Sequence, residues 1–266
     1  MSQAAPALPV GHYRLKHILK SESLKVLTLP STAVTLGVTI AAGLVVTVLV
    51  THAAVYHAGD FGFDATQEAL TGMVIAGLTG VVFGAMLITG EYASGTIRAT
   101  LSATPRRAVV LVGKMVVTGA ATVVFCEALS FTSFFLGEAI LSARRIPGAS
   151  LGSPGAFRAV FLTGLFIALL ALMSFGLGLI CRNTAGTIST FVGIVFVLPL
   201  VMQAISRPYT RFTPPVLLTN SIMATTPQGG PGGATPLSPG AGLLLMALYA
   251  AITLAVGAVL FLKRDA

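Results

Sequence analysis

Six long stretches of this chain carry almost no charged side chain, and that pattern constrains the fold more than any other feature. A helix rising about 1.5 Å per residue needs about 20 apolar residues to cross the hydrocarbon of a bilayer. No acidic or basic residue stands between Lys25 and Asp60, which leaves room for a first span over 31–53. Uncharged runs then separate Glu68 from Glu91, Arg158 from Arg182 and Arg182 from Arg207, giving spans at 69–90, 159–181 and 184–205. A further run covers 241–262. The third span, 109–139, is interrupted by Lys114 near its start and by Glu127 inside it, with Glu138 at its end. Strands of a membrane barrel would be about ten residues long with polar alternation, which these runs lack. The pattern predicts an all-α membrane protein with six transmembrane helices.

Composition closes the other routes. Only 9% of the 266 residues are charged, against about 25% in an ordinary soluble domain, and the mean hydropathy is +0.92. A soluble enzyme, a fibre and a disordered chain are all poor fits. The net charge of +8 comes from basic residues that flank apolar runs, so a membrane surface suits them better than nucleic acid. Cys126 and Cys181 lie in or beside apolar runs with no CxxC, and read as packing thiols. The first long apolar run begins only near Pro30, so the start of the chain does not read as a secretory leader.

The basic residues also predict orientation. With the N-terminus inside, Arg14, Lys16, Lys20, Lys25, Arg98, Arg106, Arg107, Lys114, Arg182, Lys263 and Arg264 fall on the inner side. Arg144, Arg145, Arg158, Arg207 and Arg211 fall on the outer side. The excess favours both termini being cytoplasmic, with Asp60, Asp64 and Glu68 outside. Arg144, Arg145 and Arg158 run against the rule.

The chain divides into a tail and elbow helix, 1–29, and a six-helix transmembrane domain, 30–266. Over Tyr13–Leu29, Leu15, Ile18, Leu19 and Val26 repeat at helical spacing with a gap at Glu22, while Arg14, Lys16, Lys20 and Lys25 lie largely away from that stripe. This predicts a basic amphipathic helix in the inner interface, broken from the first span at Pro30. The loop 206–240 holds Pro208, Pro214, Pro215, Pro227, Pro231, Pro236 and Pro239 and the run 229–233 of four glycines around a proline. Between the prolines, 216–226 is apolar but too short to span, so it is re-entrant or interfacial.

Gly72, Ala76, Gly80 and Gly84 repeat every four residues on the second span and predict a close helix contact, within or between subunits. Glu127 lies about 20 Å beyond Lys114 along a helix, well inside the hydrocarbon. It reads either as a substrate-path or gating residue or as a structural acid between helices. Glu138, about 16 Å further on, reads as interfacial. His52 and His57 stand near Asp60, yet their spacing matches no zinc motif, and no metal site is expected. There is no GxxxxGK[ST] phosphate loop, no HExxH and no GxSxG; Gly113-Lys114 is followed by Met115. The chain is therefore not expected to be an enzyme, and energy for any active transport must come from another subunit or an ion gradient.

The segment 91–107, Glu91 to Arg107, is the most informative. A span ends at an acid, Ser94-Gly95-Thr96 turns, a short helical piece follows, and Pro105 closes it before Arg106 and Arg107. Glu91, Gly95-Thr96, Arg98, Leu101, Pro105 and Arg107 resemble the inner loop of the ABC-2 type permeases, the membrane subunits of a class of ABC exporters. Ser21-Glu22-Ser23-Leu24-Lys25 is similar to the S-E-x-x-K sequence of their elbow helices, with Ser23-Leu24 departing where the family often has an aromatic. The glycine- and proline-rich 227–240 stretch is also a departure.

What the resemblance implies is a multi-pass exporter subunit, as in a bacterial plasma membrane. It would work with two copies of a cytosolic ABC ATPase and a second permease subunit, the same or homologous, and with membrane lipids. ATP and Mg would bind the ATPase, leaving this chain without a cofactor. Glu91, Gly95, Thr96, Ile97, Arg98, Leu101, Pro105 and Arg107 would couple to that ATPase, with Ile97 and Leu101 sharing one helical face that a partner would cover. The substrate would move outward, and substrates of such exporters include drugs, peptide antibiotics, lipids and glycans. Sparse charge favours an amphipathic or lipid-like one. Two readings from other classes stay open: a self-contained secondary transporter or channel using Glu127, which should show inverted repeats, and a non-transport membrane scaffold.

Overall fold

The computed structural model describes residues 15–59, 62–103, 107–205, 207–225 and 235–264. These residues are overwhelmingly helical, with no strand among them. In chain order the helices are α1 Leu15–Thr28, α2 Pro30–Ala53, α3 Ala65–Leu70, α4 Gly72–Ala93, α5 Thr96–Ala103, α6 Arg107–Ala143, α7 Ala156–Cys181, α8 Thr184–Val192, α9 Leu198–Ile205, α10 Pro214–Ile222 and α11 Pro239–Lys263. Among the described residues six helical units are long and apolar enough to cross a membrane: Pro30–Tyr56, Ala65–Ala93, Arg107–Ala143, Ala156–Cys181, Thr184–Ile205 and Pro239–Lys263.

Local chemistry sets the breaks between them. Leu29 is extended and Pro30 starts α2, because proline suits the first turn of a helix and disfavours helical geometry before it. Asp64 caps α3 by accepting from the Gln67 amide, Asn183 caps α8 at the Gly186 amide, and Ser238 caps α11 at the Ala241 amide. A π turn over Gly193–Val197 interrupts the fifth span, and Pro199 follows it.

Helix α7 is the centre of the bundle, buried along most of its length against α4, α6 and α11. α2 packs on α4 and α6, and the fifth span is the most peripheral. The four-residue series on α4 does not serve a single neighbour. A side chain at Gly72 would run into Gly43 and Thr47 of α2, and Gly43 in turn faces Ala76. One at Gly84 would strike the backbone of Ala171 on α7, and Gly80 looks onto Ile167 of α7. Four residues of a helix turn about 40° past a full circle, so the series drifts by about 120° from Gly72 to Gly84. The same repeat therefore closes two intramolecular seams.

Helix α10 is packed into the bundle rather than laid along its surface. Pro214, Leu217, Leu218, Asn220, Ser221 and Ile222 are buried, against α7 and α11 among others. Asp64 fixes its end by accepting from the Ala224 and Thr225 amides at 2.9 and 3.1 Å, and Arg158 Nη2 donates to the Met223 and Ala224 carbonyls. Gly155 has φ +83°, and a side chain there would meet the Ala224 carbonyl. The glycine- and proline-rich stretch 226–234 lies outside the described residues, as do Arg14, Asp60, Pro105, Arg106 and the side chain of Leu15.

Candidate functional site

Helix α1 buries an acid. Ile18 and Glu22, one turn apart, face the bundle, while Leu24 and Leu27 point outward. The gap at Glu22 in the apolar stripe is thus the position where α1 engages α6. Lys114, on the second turn of α6, extends its ammonium to Glu22 Oε2 at 2.6 Å and to Glu91 Oε1 at 2.7 Å. Lys25 closes the figure, 2.7 Å from Glu22 Oε1 and 3.0 Å from Glu91 Oε1. Two carboxylates and two ammonium groups form a ring of zero net charge that joins α1, the end of α4 and the start of α6.

Burial makes the ring consequential. The Lys114 and Glu22 side chains are 4% and 6% exposed. An isolated ion there would be expensive, so each depends on the opposite charges packed beside it. Burial by itself pushes the Glu22 carboxyl upward, but the charge and hydrogen bonds of Lys114, and then those of Lys25, hold it below its ordinary value. For Lys25 burial acts downward and is outweighed by Glu22 and Glu91, which hold the ammonium above its ordinary value.

Glu91 is also the residue from which the connection between α4 and α6 departs. Gly95 has φ +69°, a left-handed turn that glycine accepts without strain. Ser94 and Thr96 hydroxyls lie 2.9 Å apart across it, and α5 follows. Here the structure corrects an expectation. Ile97 and Leu101 do not present an apolar face for a partner. Ile97 is 2% exposed, and both pack against Ile88, Leu111, Phe175, Leu179 and Phe261 of their own chain. The free face of α5 is polar, with Thr96, Arg98, Ala99 and Ser102 exposed. Arg107 donates to the Arg264 carbonyl at 3.1 Å, and Arg264 donates to the Ile180 carbonyl, so the loop is also tied to the ends of α11 and α7.

Beside the ring is a cavity of about 420 Å³ between α1, α2, α4 and α6. Glu22, Lys25, Glu91 and Lys114 form its charged side, and Phe83 and Met86 are part of its apolar side.

Glu127 stands apart from this cluster. Its carboxylate oxygens are buried with no hydrogen-bond partner among the described residues, and it lies against Gly164 of α7, where a side chain would come within 2.8 Å of the carboxylate. Glu138 accepts from the Ala149 amide at 2.7 Å. His57 reaches Glu68 at 3.2 Å, and His52 contacts Arg144; the described residues contain no group of three or more potential metal ligands. Of the residues singled out from the sequence, Glu22, Lys25 and Glu91 come together, α5 hangs from them, and Glu127 is remote. In the sequence Lys114 reads as an interruption of an apolar run and as one of the inner-side basic residues. The signal was present: one lysine inside an apolar run requires buried counter-charge, and the alternation of spans brings Glu22 and Glu91 to its level.

A family model described as ABC-2 family transporter protein matches residues 52–266. No curated protein matches the chain.

Proposed function

The chain belongs to the ABC-2 transporter family, whose members are membrane permeases of ABC transporters that work with an ABC ATPase. From that premise we propose that it is the permease subunit of an exporter, driven by two copies of a cytosolic ATPase and paired with a second permease subunit. ATP and Mg belong to the ATPase. The permease moves an amphipathic or lipid-like substrate outward across the plasma membrane.

The observation that supports this reading best is the mounting of α5. Its apolar face is locked into the bundle by Ile97 and Leu101, its polar face is free, and the residue at its root, Glu91, is ion-paired to Lys114 and Lys25. An ATPase pressing on Thr96, Arg98 and Ser102 would push on α4, α6 and α1 together, because the ring leaves little slack between them. The orphaned carboxylate of Glu127, deep in α6, supports a place for it on the path of the substrate.

The test is reconstitution with the ATPase in lipid. Arg98→Glu is expected to leave insertion and yield intact and to reduce substrate-stimulated ATP hydrolysis by about tenfold, the scale of one lost charged contact. Glu127→Gln is expected to assemble normally and alter transport. Full coupling in the Arg98→Glu protein would remove α5 as the docking element.

A further inference from the structure

We propose that the cavity beside the ion ring is a binding site for the headgroup of a phospholipid carrying a primary amine. The proposal concerns a ligand of the membrane-spanning chain itself and does not depend on how the ATPase docks.

Three features define the ligand. The first is amphipathicity: the cavity has an apolar side that includes Phe83, Met86 and Leu29 and a polar side made by the ring with the hydroxyl-bearing Ser31 and Thr32. Its volume of about 420 Å³ is within the usual range for a site that holds a small ligand or a headgroup.

The second is an unused donor and an unused acceptor on two residues that line the cavity. Lys25 has three N–H bonds and makes two contacts, to Glu22 and Glu91, and its side chain is 34% exposed, so one N–H remains to offer a phosphate oxygen. Glu91 engages both lysines through Oε1 alone. Its Oε2 is buried with no donor among the described residues. Glu91 lines the cavity, and rotation about the terminal torsion of a glutamate is soft, so its two oxygens can be shared between the lysines and a donor bound there. An unsatisfied carboxylate oxygen there calls for an N–H donor.

The third is charge. The ring is neutral, so an anionic headgroup would leave a net charge in a partly dehydrated site, whereas a zwitterion leaves none. Among zwitterions, a quaternary ammonium has no N–H to give to Glu91. A primary amine gives one to Glu91 while its phosphate takes one from Lys25. The chemistry selects a phosphoethanolamine-type headgroup.

The chain contains no tryptophan, so one introduced reporter is read without background. Phe83→Trp places it in the cavity wall, with Leu87→Trp as a second position if the first does not fold. The full-length protein goes into phosphatidylcholine vesicles with a minor fraction of brominated phosphatidylethanolamine, phosphatidylcholine or phosphatidylglycerol. Brominated phosphatidylethanolamine is expected to quench with about tenfold higher apparent affinity than brominated phosphatidylcholine, the factor of one charge-assisted hydrogen bond. Glu91→Gln should abolish that preference, and a lipid-facing control, Val124→Trp, should show none. Equal quenching by the ethanolamine and choline lipids would overturn the proposal, as would stronger quenching by phosphatidylglycerol. No ATPase is present, so the outcome is independent of the coupling reading.

Discussion

The ammonium of Lys114 lies 2.6 Å from Glu22, 92 residues earlier in the chain, and this contact fastens the elbow helix to the third span. Lys114 is only 4% exposed. Removing one member of such a pair leaves the other buried and uncompensated. Lys114→Met is therefore expected to destabilise the protein by about 3–5 kcal/mol. Adding Glu22→Gln to it should restore part of the loss, because a buried anion goes with it. Thermal melting of the detergent-solubilised variants measures this, and strictly additive losses would show that the two charges are not coupled.

The ring also predicts a pH window. Glu22 is held below its ordinary value of 4.5, so its contribution is full above that pH and is lost as pH falls through the lower folded value. Lys25 is held above its ordinary value of 10.5, so its contribution is full below that pH and is lost as pH rises through the higher folded value. Between the two ordinary values the contribution should be flat. The difference in melting temperature between wild type and a Glu22→Gln/Lys25→Met double variant, followed against pH, should show a plateau and then shrink below pH 4.5. A difference that varies across the neutral range would contradict it.

The drift of the small-residue series sorts glycines that look alike in sequence. Gly84→Ala drives a methyl group into the backbone of Ala171 and Gly72→Ala into that of Gly43; each should cost about 1–3 kcal/mol or more. Gly80→Ala finds Ile167 at 3.7 Å and should be nearly neutral. Melting temperatures of the three variants decide it, and equal losses would mean that the seams are not as close as described.

The two faces of α5 should separate stability from coupling. Ile97→Asp places a charge among Ile88, Phe175 and Phe261 and should abolish the folded protein. Ser102→Asp, on the exposed face, should leave the yield unchanged. Size-exclusion profiles of the two proteins give the answer; a well-folded Ile97→Asp protein would show that α5 is not anchored by its apolar side.

Orientation is open to a direct measurement. Reporters fused after residues 62 and 225 are expected to read outside, and those after residue 102 and at the C-terminus inside. A cytoplasmic signal at 225 would reverse the arrangement of α10 and the ends it joins.

Much of this architecture is written along one dimension. Whether a stretch of 20 residues prefers lipid depends on its own side chains, so the six spans follow from charge-free windows alone, and proline and capping residues such as Pro30 and Asn183 mark the breaks for equally local reasons. The motif around Glu91, together with Ser21–Lys25, carries the family resemblance from local sequence. What no window contains is the direction in which a helix faces a neighbour distant in sequence. Ile97 and Leu101 form the same apolar stripe whether an ATPase or Phe261 covers it, and only packing chose Phe261. Gly72 and Gly84 share a period but not a partner, because 3.6 residues per turn does not divide four. Lys114 reads as a blemish in an apolar run until α1 and α4 bring Glu22 and Glu91 to it. A buried charge takes its meaning from its counter-charge, and the tertiary structure alone supplies that.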